Sequence, residues 1–224
     1  MFRSRSTQGV ALLALLAPAA LGSCVADSVS LRITCNVAPE SDCKYTEGGD
    51  CYVNGELNVE SADGYSAVLR VSNGLKPRDR EVPPQSEPNG VQIFQLEVHI
   101  KDSAGATLSL GGRPNPYTVP ASGFIEPNDE GLVGGELLPN AYIAALRDVH
   151  GGDRDDVKTI NLSVLARGKT SGDVEVESGA WPWFINVRAI DPRPGMGECF
   201  EPEDAICGLG QDAFLYACDP RMAN

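Results

Sequence analysis

The chain has 224 residues, 18 lysines and arginines against 31 aspartates and glutamates, a net charge of −13, and two histidines. That acidity argues against nucleic acid and against electrostatic docking on anionic lipid, since both carry negative charge themselves. The length is ample for one sizeable core, as one β-sandwich or two small domains.

Arg3 and Arg5 precede an apolar run over residues 10–21, which has the size of a signal-peptide core and is too short to span a bilayer. The run ends on Leu21-Gly22-Ser23-Cys24, which resembles the lipobox of bacterial lipoproteins. The resemblance implies cleavage before Cys24, thioether attachment of a diacylglycerol to its sulfur, and acylation (palmitate or a similar chain) of the new amino terminus. Several acyl chains make such anchoring stable. Val25 follows, and the lack of an aspartate there favours the outer membrane. The competing reading is an ordinary secretory signal, with a periplasmic or secreted product. Cleavage removes 23 residues and both leader arginines, leaving 201 residues with 16 basic against 31 acidic side chains.

Six further cysteines form two clusters, Cys35, Cys43 and Cys51 near the start and Cys199, Cys207 and Cys218 near the end. An even number in an exported chain reads as three disulfides. Each cluster holds an odd number, so pairing all six requires at least one bridge between the clusters. Their spacings are too wide for a zinc site and exclude a Cys-x-x-Cys redox pair. Ser41-Asp42-Cys43-Lys44 matches Ser-x-x-Lys by letters only, within a cysteine-rich loop rather than on a helix.

Alternation predicts strands with Val29, Leu31, Ile33, Cys35 and Val37 inward, then Tyr65, Ala67, Leu69 and Val71, then Phe94, Leu96, Val98 and Ile100. Val91 and Ile93 are out of phase with Phe94, which predicts a bulge. His99 falls on the polar face of this third strand. Prolines and glycines from Pro77 to Gly135 predict short strands and loops. Tyr142, Ile143, Leu146 and Val149 have helical spacing after Asn140 as a candidate cap, with Gly151-Gly152 as the stop and His150 complementing the helix dipole. Ile160, Leu162, Val164 and Ala166 mark another strand, folding back through a turn near residues 167–173 as a hairpin over residues 159–178. Trp183, Ile185, Val187 and Ala189 mark the last.

The expected architecture is all-β: an antiparallel β-sandwich, immunoglobulin-like in the broad sense, with one short helix. The domain plan is a signal peptide over 1–23, the β domain over 24–191, and a disulfide-linked, loop-rich tail over 192–224 packed on it. The layout of alternating strands, the segment Val174-Glu175-Val176-Glu177-Ser178 before an aromatic strand, and the Cys-rich tail resembles uncharacterised lipoproteins of myxobacterial type. That resemblance implies a location and no chemistry.

Three functional readings follow. The first is a non-catalytic interaction or structural module on an envelope membrane, its protein or glycan partner unknown, with no cofactor and Trp181 and Trp183 as candidate binding aromatics unless the core claims them. The second is an extracytoplasmic hydrolase of glycan or peptide whose loop carboxylates converge, which requires a deep cleft with facing acids, one of raised pKa. The third is a Ca²⁺ or small-ligand module using Asp153, Asp155 and Asp156, with Asn128, Asp129 and Glu130 as a second acidic turn.

Overall fold

The computed structural model describes residues 30–40, 42–77, 88–150, 157–189 and 211–212. The strands are β1 (Leu31–Asn36), β2 (Gly55–Asn58), β3 (Tyr65–Asn73), β4 (Val91–Asp102), β5 (Tyr117–Ile125), β6 (Asp129–Leu138), β7 (Lys158–Thr170), β8 (Glu175–Glu177) and β9 (Trp181–Arg188). Among the described residues, one helix, α1 (Asn140–His150), lies between β6 and β7. The fold is all-β.

The strands run as one hydrogen-bonded path, β1-β3-β6-β5-β4-β7-β9-β2, with β8 on β7. Every pairing is antiparallel except β2 with β9, which is parallel. Where a sandwich would have two unlinked sheets, β5 joins the halves: its full length lies along β4, while Ala121 and Ser122 pair with Gly135 and Gly134 of β6.

The path curls around a single core. Tyr65 of β3 and Trp183 of β9 lie five steps apart along it, yet Trp183 Nε1 donates to Tyr65 Oη at 3.1 Å. Leu31 of β1 also bridges to Ser178 beyond β8. The predicted inward rows of β3, β7 and β9 are all buried, as are Leu31, Ile33, Cys35 and Val37. Burial on this scale is the main favourable term holding the sheet.

Phe94 departs from expectation. It is 45% exposed, whereas Val91, Ile93, Leu96, Val98 and Ile100 are fully buried. The register shifts between Ile93 and Gln95 in both ladders: against β7, where Gly168 and Arg167 are consecutive, Phe94 is the extra residue of the predicted bulge, whereas against β5 the extra residue lies on β5, between Gly123 and Pro120. Turning Phe94 outward lets the apolar sets on both sides of the bulge face the core.

The middle of the chain also differs: β5 and β6 are continuous strands of 9 and 10 residues despite their glycines and proline. The glycines sit where backbones approach closely. A Cβ on Gly123 would lie 2.5 Å from the Leu132 carbonyl oxygen, and one on Gly135 would lie 2.9 Å from Leu96 Cδ1. Here glycine permits the β5–β6 junction instead of ending a strand.

Helix α1 packs Tyr142, Ile143 and Leu146 inward and leaves Val149 44% exposed. The Pro139 carbonyl accepts from the Tyr142 and Ile143 amides, so the cap lies one residue before Asn140, whose side chain instead donates to Asp63. Tyr142 stacks on Tyr117 of β5 at 3.9 Å between ring centroids, fixing the helix to the sheet.

Candidate functional site

Cys35 and Cys51 are bonded to each other with a Cα separation of 5.8 Å, tying β1 to the loop before β2. Cys43 is disulfide-bonded too. With Cys35 and Cys51 joined, its partner lies outside the described residues. Cys24, Cys199, Cys207 and Cys218 lie outside them, as do Ser41 and the calcium candidates Asp153, Asp155 and Asp156. The His150 side chain is also outside the description.

The other candidates are placed. Trp183 is 3% exposed, so it belongs to the core and is withdrawn as a binding aromatic. Trp181 is half-buried and stacks on it at 5.3 Å between centroids, which commits one of its faces to packing. His99 is half-buried on the outer face of β4, with Nε2 2.8 Å from Thr107 Oγ1. Burial, then Lys101, push its pKa down, while Glu97 pulls the other way. Asn128 adopts a left-handed φ of 57° that turns β5 into β6, and the Asp129 carboxylate accepts from the Glu130 amide. Among the described residues, no group of three or more His, Cys, Asp or Glu side chains converges on a metal position. Asp42 and Lys44 pair with each other, both substantially exposed, around Cys43.

Two sites emerge that the sequence reading did not locate. The first is a groove of about 460 Å³ beside α1, whose apolar lining is Leu108, Leu146, Val149, Val157, Ile160 and Val187. It joins the C-terminal half of the helix to β7 and β9, so residues distant in sequence meet there. Asp102 is the only carboxylate among its described lining residues, and it is committed to a turn, accepting from the Ala104 and Ala106 amides at 2.9 and 2.8 Å. Lys158 Nζ donates to the Val149 carbonyl at 3.4 Å. The periodicity of α1 and β7 marked Leu146 and Ile160 as inward. Nothing in it marked the place where the two rows part.

The second is a buried polar knot between β2, at one end of the path, and β3, next to the other end. Asp212 Oδ1 accepts from the Glu56 amide and from Tyr65 Oη, each at 3.0 Å. Burial pushes the Asp212 carboxyl up to about 6. Hydrogen bonds from the Glu56 amide and the Tyr65 hydroxyl oppose that rise, and the Glu56 carboxylate adds to it. Burial, followed by Asp212, raises Tyr65 as well. The adjacent space, lined by Asn36, Tyr45, Tyr52, Ser66, Gln211 and Asp212 among others, is about 10 Å³, barely enough for one water. A carboxyl of raised pKa is the signature expected of a general acid, but a substrate has no room beside this one. An inward tyrosine needs a partner for its hydroxyl, and that was the one sequence signal pointing here.

No family model matches the chain, and neither a curated protein nor a solved structure matches it.

Proposed function

We propose that the chain is a lipid-anchored protein of the bacterial envelope, held through Cys24 at the outer membrane, whose β domain is a non-catalytic interaction module that meets its partner at the groove beside α1. The observation that carries this reading is the chemistry of the groove. Six of its ten lining residues are aliphatic, Val149 and Val157 among them stay 44% and 41% exposed, and Oδ1 of its one described carboxylate, Asp102, is engaged in a turn. Exposed aliphatic side chains gathered in a concave surface favour burial against a partner. The hydrolase reading asks for facing acids in an open cleft, whereas among the described residues the one carboxyl of raised pKa sits beside a space of about 10 Å³.

The test has two parts. In the native host, Cys24→Ser is expected to abolish incorporation of labelled palmitate and move the protein out of the membrane fraction. A Cys24→Ser chain still in the membrane fraction overturns the anchor. For the groove, a photo-crosslinking residue replaces Val149 in the full-length anchored chain, with the more exposed Val174, away from the groove, as control. Adducts at position 149 that vanish with Val157→Asp support the module. Equal adducts at both positions overturn it.

A further inference from the structure

β2 and β3 do not pair with each other, although the curl of the sheet brings them together. Among the described residues, a two-residue wedge spans the gap. Gln211 forms an antiparallel bridge with Leu57 of β2, and its side-chain amide turns to β3, accepting from the Ser66 amide at 2.9 Å and donating to the Ser66 carbonyl at 3.1 Å. Asp212, at a left-handed φ of 50°, reaches both strands through one oxygen. Closure of the sheet at this edge therefore runs through a carboxyl group.

We propose that Gln211 and Asp212 form a proton-operated latch across the gap between β2 and β3, held shut when the Asp212 carboxyl is protonated and loosened when it ionises. The charged groups around it explain the direction. On β2, Glu56 presents a like charge, itself held by Asn186 at 2.8 Å and Arg188 at 3.3 Å. On β3, Tyr65 donates to Asp212 and receives from Trp183 of β9. In the loop before β2, Tyr45 feels the Asp212 charge and Tyr52 acts on Tyr65. Among the described residues, no lysine or arginine offsets the Asp212 charge. Ionisation thus places a carboxylate in a largely dry site beside another carboxylate, which two hydrogen bonds only partly repay.

The closed latch holds the carboxyl near pKa 6, against 3.8 for the ordinary group. The closed form therefore binds the proton more tightly. Its advantage is complete below the ordinary value and is lost as pH rises through about 6. A difference of roughly two units makes opening about 100-fold more favourable at neutral pH than in acid.

The test uses the full-length, disulfide-intact protein and amide hydrogen exchange, with protection referred to the intrinsic exchange rate at each pH. The Glu56 and Ser66 amides report on the latch, and Leu69 and Val71 report on the core. Between about pH 4 and about pH 8, protection at Glu56 and Ser66 is expected to fall about 100-fold while the core amides hold. Asp212→Asn keeps the shape and an acceptor but cannot ionise, so its protection is expected to stay flat. The same fall in the Asn variant, or no fall in the unsubstituted chain, overturns the latch. If the variant folds poorly, the carbon-13 shift of the Asp212 carboxyl decides. Titration near 6 together with the loss of protection supports the latch, and titration near the ordinary carboxylate value overturns it.

Discussion

Gly123 and Gly134 both interrupt apolar alternation, yet they have opposite surroundings. A Cβ at Gly123 meets the Leu132 carbonyl oxygen at 2.5 Å and Val133 Cγ2 at 2.7 Å, while one at Gly134 meets nothing within 4 Å. Gly123→Ala is therefore expected to destabilise the fold by about 1–3 kcal/mol. Gly134→Ala should be neutral or stabilising by up to about 1 kcal/mol, since it removes only unfolded-state freedom. Urea titration of both variants checks the pair, and equal effects would remove the close-approach account. Trp183→Phe keeps an aromatic ring but loses the Nε1 hydrogen bond to Tyr65 Oη and leaves a small void, so it should cost roughly 2 kcal/mol in the same assay. Sequence parity assigned Trp183 to the core correctly. It could not reveal that Tyr65 receives the indole, because that contact joins strands far apart in the chain.

Among the elements, two side-chain amides stand in for missing strand residues. Asn115 accepts from the Ile100 amide at 2.9 Å and donates to the Ile100 and Leu108 carbonyls at 2.7 and 2.9 Å. Gln211 treats Ser66 of β3 in the same manner. Asn115→Ala strips backbone groups at Ile100 and Leu108 of these partners and is expected to cost about 2–3 kcal/mol by denaturant titration. The Cys35–Cys51 bridge closes a loop of 16 residues, and replacing both cysteines by alanine should cost about 3 kcal/mol and lower the Tm. Fragment mapping without reduction should find Cys43 linked to Cys199, Cys207 or Cys218, with Cys24 outside any disulfide. A Cys24–Cys43 bridge would contradict the lipid anchor. Strands β1, β3, β4, β7 and β9 and the helix were legible because alternation and helical spacing record burial on one face. Strands β2, β5 and β6 were not. β2 has only 4 residues, and the glycines and proline of β5 and β6 serve a close junction that a local reading takes for turns.

For the whole molecule, the dominant electrostatic fact is the net charge of −13. Salt bridges such as Arg167 with Glu97 at 2.8 Å sit on the outer face, where water limits their worth to a fraction of a kcal/mol. Self-repulsion of the excess carboxylates is then the larger long-range term. Raising the ionic strength from about 0.02 M to about 0.3 M is expected to raise the Tm by a few degrees. A fall in Tm would mean that the ion pairs outweigh the repulsion. The alternation, the bulge, the helix and the all-β class were determined by the sequence alone, because each is written in the local order of apolar and polar residues. The tertiary structure alone decided the curl into one path, the apolar groove between α1 and β7, and the wedge that places Asp212 against β2 and β3. Each of these depends on which faces meet after folding, and the periodicity of a single segment carries no information about its distant partner.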